Sequence, residues 1–153
     1  MRSIKGINVK GKKILLRVDF NVPIKNGKVM DDFRIKKTLP TINFLRKNGA
    51  KVILMSHLTD GRANSLAPVA KYLKIKFITD EKIGEIKNGE AVLLENLRNK
   101  PGEEKNDKNF AKKLASLGNI YVNDAFSASH RNHTSIIGIP KYLPSYAGLL
   151  FKE

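Results

Sequence analysis

Unbroken apolar runs alternate with stretches of helical spacing along the whole 153-residue chain. The runs "KKILLRVDF" (12–20), "KVILMSH" (51–57), "KIKFIT" (74–79), "EAVLLEN" (90–96) and "NIYVND" (119–124) have the look of buried strands. Between them, residues 32–49 place Phe33, Ile35, Leu39, Ile42 and Leu45 largely at helical intervals. Asp31 or Asp32 stands where an N-cap belongs and Gly49 where a C-terminal cap belongs. Pro40 predicts either a kink or the true first turn of that helix. Two further helices are predicted at 65–73, with Ser65 as cap, and at 107–118, ending in glycine. Continuous apolar strands, as opposed to alternating ones, belong to parallel sheets covered on both faces by helices. The expectation is a doubly wound, Rossmann-like α/β sandwich of three layers with about five or six parallel strands. No repeat, linker or low-complexity segment divides the chain, so a single domain spanning 1–153 is expected. The C-terminal "IPKYLPSYAGLLFKE" ends on an apolar run without a closing turn, as if starting an element that continues elsewhere.

In an open parallel sheet, ligands bind outside the carboxyl ends of the strands. The residues that follow each predicted strand are therefore the informative ones. They are Asp19 and Asn21, then His57 and Arg62, then Asn96 and Arg98, then Asp124, His130, Arg131 and His133. Arg34 opens the helix after the first strand, near the same edge. Each has a plainer reading on its own. Asp19 and Asn21 before Pro23 make an Asx-turn. A lone His57 is more often packed than ligating, and Arg98 beside Glu95 reads as a surface ion pair. Asn123 and Asp124 can simply end a strand. Their joint placement at one sheet edge is what points to a shared anion pocket. Arginine suits such a pocket because its planar fork binds phosphate and carboxylate bidentately and stays charged.

Composition narrows the partner. The chain has 29 basic and 14 acidic residues, a formal charge of +15. That balance favours anionic partners: nucleic acid, an acidic membrane surface or a phosphorylated metabolite. Most of the lysines are scattered and read as a solvated surface. A nucleic-acid module would carry a basic stripe on one face and aromatics among its basic residues, and no such aromatic run is present. The chain has no cysteine, which removes disulfides and thiolate metal sites and fits a reducing compartment. No apolar run approaches the roughly 20 residues of a membrane span, and the N-terminus lacks a secretory apolar region. Neither a P-loop nor a dinucleotide-binding glycine pattern is found. The histidines lack metal-ligand spacing, and Ser56 beside His57 has no third group to make a nucleophile.

The motifs "RVDFNVP", "DDFRI", "SHL…GR", "LLENLR…GEE" and "NDAFSASHR" occur here in the order found in phosphoglycerate kinases. Over nearly its full length the chain resembles the N-terminal domain of that family. The resemblance implies a domain that binds 3-phosphoglycerate or 1,3-bisphosphoglycerate in a basic patch. It also implies a C-terminal domain, not contained in this chain, that binds Mg-ATP or Mg-ADP, with hinge closure bringing the substrates together in the cytoplasm. By the same resemblance Asp19, Phe20 and Asn21 belong to the substrate site, the two polar ones holding the hydroxyl and carboxylate end. Arg34 is the catalytic residue that neutralises the phosphoryl group in flight. His57, Arg62, Arg98, Arg131 and His133 complete the grip on substrate. The family's usual "SHLGRP" reads "SHLTDGRA" here, so Arg62 stands five residues after His57. Asn99 stands where the family often has an aromatic. Phosphoryl transfer asks a protein for positioning and charge stabilisation more than for covalent chemistry, which agrees with a domain rich in arginines and without a nucleophile. The isolated domain is expected to hold no nucleotide or metal and to bind substrate without transferring a phosphoryl group.

Overall fold

The structure, a computed structural model, describes residues 2–58, 65–79, 82–97, 102–103, 107–125 and 134–150. Its strands are β1 (Lys13–Arg17), β2 (Ile24–Lys25), β3 (Lys28–Val29), β4 (Lys51–Met55), β5 (Lys76–Ile78), β6 (Ala91–Leu94), β7 (Ile120–Asn123) and β8 (Ser145–Ala147). Its helices are α1 (Phe33–Lys47), α2 (Ala67–Leu73) and α3 (Lys108–Ala115). Six strands form one sheet in the order β5-β6-β4-β1-β7-β8, and every pairing in it is parallel. The α/β class and the parallel sheet are as the apolar runs predicted.

Successive residues of a strand face opposite sides, so a sheet covered twice needs strands without polar interruptions. Two cores result. Ile14, Leu16, Val52, Leu54 and Val122 pack with Ile35, Ile42 and Leu45 of α1 and Val69 of α2. Their strand neighbours Leu15, Ile53, Met55 and Tyr121 pack on the other face with Leu114 and Ala115 of α3. These are the three layers.

Helix α1 ends as the sequence indicates. Gly49 takes φ +81°, and the Ala50 N–H bonds the Leu45 carbonyl at 3.0 Å, the longer bond of a Schellman cap. Its start is different. Asp32 occupies the N-cap position but its side chain caps no helix N–H; it accepts from the Tyr72 hydroxyl at 2.5 Å and pairs with Lys36 Nζ at 3.5 Å. Asp31 accepts from the Phe33 N–H at 3.0 Å. Pro40 lies inside α1, so the alternative that it opens the helix is overturned. Burial of Ile35 and Thr38 before it, and of Thr41, Ile42 and Leu45 after it, keeps one helix running across the proline. At α2 the predicted cap acts one residue early: Ser65 accepts from the Ala67 N–H at 3.0 Å and donates to Glu95 at 2.8 Å. Helix α3 is capped by Asp107, which accepts from the N–H groups of Asn109 and Phe110.

Three strands lie outside the sequence prediction. Part of the C-terminal segment, expected to begin an element elsewhere, is β8, paired with β7 at the sheet edge. β2 and β3 form a short antiparallel hairpin whose turn is Asn26-Gly27, both with positive φ. Among the described residues no helix is long and apolar enough to cross a membrane.

Candidate functional site

The strand order reverses beside β1. The chain leaves β1 through α1 to reach β4 on one side, whereas β7 lies on the other and leads on to β8. A crevice outside the carboxyl ends of the strands belongs at such a switch point. There the structure has a 350 Å³ cleft lined by Asp19, Phe33, Arg34, Lys37, Thr38, Asp124 and Leu150. A smaller hollow of 210 Å³, lined in part by Asn21, Pro23 and Asp31, shares Phe33 and Arg34 with it.

Asp19 sits just past β1 and is nearly buried. Its Oδ1 accepts from the Asn21 N–H at 3.0 Å, which is the Asx-turn that the sequence offered as the plainer reading. The turn and the site coincide, because the same oxygen meets Arg34 Nη1 at 3.3 Å. Arg34 Nη1 also donates to the Asn21 carbonyl at 3.1 Å. Arg34 is on the first turn of α1, and its side chain remains 46% exposed at the cleft. Asp19, Asn21 and Arg34 are thus brought together. Phe20 between them is fully buried in the α1-side core, with its N–H bonded to Ser56 Oγ at 2.8 Å. Lys37, one turn along α1, stands with Nζ 4.9 Å from the centre of the Phe33 ring.

His57 follows β4 and is 3% exposed. Its Nδ1 lies 2.6 Å from Nη2 of Arg17, the last residue of β1. Arg17 is itself fully buried, donating from Nε to Ser135 Oγ at 2.8 Å and from Nη1 to the Val18 carbonyl at 2.6 Å. Ser135 is held in turn by Glu103, which accepts from its N–H at 2.9 Å and from its hydroxyl. The Tyr121 hydroxyl donates to the Ser135 carbonyl at 2.5 Å, and burial pushes that phenol well above its ordinary range. Arg17 and Glu103 went unread in the sequence. The available signal for Arg17 was a charged side chain inside a run otherwise wholly apolar.

Asn96 is also buried, bonding the Leu58 N–H at 3.0 Å and so tying the end of β6 to that of β4. Asp124 closes the cleft from β7. It is fully buried, its Oδ1 accepts from the Leu150 N–H at 2.9 Å, and its Oδ2 has no hydrogen-bond partner. Burial pushes its carboxyl up to about 6, against the opposing pull of the Thr41 hydroxyl and the Leu150 amide. Gly148 packs so tightly on this carboxyl that a Cβ there would overlap it. Arg62, Arg98, Arg131 and His133, named as site residues from the sequence, lie outside the described residues, as does His130.

The phosphoglycerate kinase family model matches residues 4–153. Among curated relatives, the phosphoglycerate kinase of Coprothermobacter proteolyticus is 49% identical over 100% of this chain and 44% of its own length. That of Fervidobacterium nodosum is 44% identical over 99% of this chain and 42% of its own. Two solved structures are similar throughout. Phosphoglycerate kinase from Coxiella burnetii superposes with a TM-score of 0.89 at 38% identity, covering 97% of this chain and 41% of that one. The enzyme from Pyrococcus horikoshii gives 0.90 at 34% identity, covering 99% and 43%. The chain therefore spans less than half the length of the relatives it matches. With its six parallel strands, its cleft at the sheet's switch point and a family match over nearly every residue, the chain belongs to the phosphoglycerate kinase family and corresponds to its N-terminal part.

Proposed function

We propose that this chain is the substrate-binding domain of a phosphoglycerate kinase. It takes 3-phosphoglycerate or 1,3-bisphosphoglycerate for reversible phosphoryl transfer with a nucleotide held by a partner domain. The observation that carries the reading is the Asp19–Arg34 contact at 3.3 Å on the edge of the cleft. A carboxylate that accepts hydrogen bonds suits the substrate hydroxyl. Asn21, beside it, suits the carboxylate end. A half-exposed guanidinium suits the phosphoryl group as it passes between oxygens, where its planar fork of donors can meet the charge spread over the equatorial oxygens. Phe20 supports this edge from the core, and His57 stands buried behind it. Arg62 is proposed to line the basic patch, and Arg98, Arg131 and His133 to grip the substrate phosphate.

Among the described residues no three His, Cys, Asp or Glu side chains converge as a metal site requires. No step assigned to this chain runs through a magnesium ion. Mg-ATP or Mg-ADP would be held by a C-terminal nucleotide domain, and the reaction belongs in the cytoplasm, where its substrates are. The domain alone is then a binder without turnover, since in-line transfer needs both substrates positioned together.

Calorimetry with 3-phosphoglycerate, beside duplex DNA at two salt concentrations, tests the reading. Saturable binding of the metabolite is expected, with none of comparable strength to DNA. Tighter binding to DNA, or a flat metabolite titration, would overturn it. A coupled kinase assay on the pure chain should show no turnover, and adding a separately made C-terminal domain should restore it.

A further inference from the structure

We infer that Arg17 is a positioning residue, a buried guanidinium that holds His57 in one tautomer with its ring proton on Nε2. This inference rests on the substrate-binding reading for its consequence, though not for its chemistry. A guanidinium has only donors. Nη2 of Arg17 stands 2.6 Å from Nδ1 of His57, so Nδ1 must accept, and the ring proton must sit on Nε2. His57 is 3% exposed, so water does not compete for that choice.

Arg17 in turn has little freedom. Nε is bonded to Ser135, Nη1 to the Val18 carbonyl and Nη2 to His57, which fixes the plane of the fork. Ser135 is fixed by Glu103 through both its N–H and its hydroxyl, and through its carbonyl by Tyr121. Thr134 adds a second tie to the same place, donating from N–H to the Glu103 carbonyl at 2.7 Å and from its hydroxyl to the Gly102 carbonyl at 2.6 Å. A buried cation and a buried anion, bridged by a serine, compensate each other. The cluster joins the carboxyl end of β1, the second residue after β4, Glu103 five positions past Arg98, and the Thr134-Ser135 pair that directly follows His133 in sequence. Arg17 therefore presets a neutral donor at His57, as opposed to adding one more charge to the anion site.

The test begins on the unaltered chain. Long-range proton–nitrogen NMR spectra of histidine-labelled protein at neutral pH, with His57 assigned through His57→Gln, should show Nδ1 unprotonated and Nε2 protonated. A proton on Nδ1 would overturn the inference. The second arm is Arg17→Met combined with Glu103→Gln, which removes both buried charges together so that neither is orphaned. This variant should lose the single-tautomer signature and bind 3-phosphoglycerate about tenfold more weakly, the scale of one hydrogen bond's net contribution. An unchanged His57 spectrum in a folded variant would refute the role. A clean Nε2–H signature in an unaltered chain that binds no 3-phosphoglycerate would support the Arg17 assignment and overturn the substrate reading instead.

Discussion

Asp124 shows how one side chain reports on its surroundings. It is buried with one oxygen unpartnered, and its carboxyl is pushed up to about 6 from the ordinary 3.8. A folded-state value above the unfolded one means that folding favours the protonated form. The contribution is therefore fully present below about pH 4 and is lost as pH rises through about 6. The loss is worth on the order of 3 kcal/mol at most, and partial solvation of the cleft reduces it. Asp124→Asn removes the titration while keeping an acceptor for the Leu150 N–H. The variant's stability relative to the unaltered chain should improve by about 1–2 kcal/mol between acid and neutral pH. Urea unfolding at several pH values measures this. A constant difference between the two proteins across that range would refute the account.

Helix α1 is the element with a defect built in. Pro40 is exposed at its middle, lacks the N–H that would bond the carbonyl of Lys36, and crowds that carbonyl with its ring. Pro40→Ala should restore the bond on a face that packs against nothing. The gain should be about 1–2 kcal/mol, because part of the roughly 3 kcal/mol proline cost is offset by a freer unfolded chain. Thermal unfolding would reveal it, and a loss of stability would show that the proline at this position is needed for docking. At this scale the sequence was readable where its signals were local and long. The unbroken apolar runs found β1, β4, β5, β6 and β7, and Gly49 found the end of α1. β8 escaped because it is three residues long and half-buried at an edge, carrying no run of its own. The β2–β3 hairpin escaped because its strands have two residues each, although Asn26-Gly27 advertised the turn. The site divides the same way. Asp19 and Asn21 were legible because their turn is local. The Arg17 network was not, because it joins residues 40 and 118 positions apart in the chain.

The whole molecule carries a formal charge of +15, far more than one phosphorylated ligand needs. Its field should speed capture of any small anion, and screening should weaken that effect over about 10 Å at 0.1 M salt. Affinity for 3-phosphoglycerate is expected to fall at least about fivefold between low and physiological ionic strength. Calorimetry across a salt series would show it, and a flat series would mean that the lysines act only as a solvated coat.

The position of β1 at the middle of the sheet has a kinetic consequence. Its partner β4 arrives after a single helix, with Ile14 opposite Val52. Its other partner, β7, comes more than a hundred residues later, with Leu16 opposite Val122. Loop-closure entropy makes the first pairing cheaper than the second, so the β1–α1–β4 unit should nucleate folding and β7 should dock late. Val52 and Val122 are both fully buried in the same core, which makes them a matched pair of probes. Val52→Ala should chiefly slow folding, with φ of about 0.5 or more, whereas Val122→Ala should chiefly speed unfolding, with φ below about 0.3. Chevron plots of the two variants would decide, and the reverse order would place the nucleus on the β7 side. Until β7 is made, one edge of the central strand stays open to any other strand it meets, so a chain stopped short of residue 120 should associate with itself before it folds.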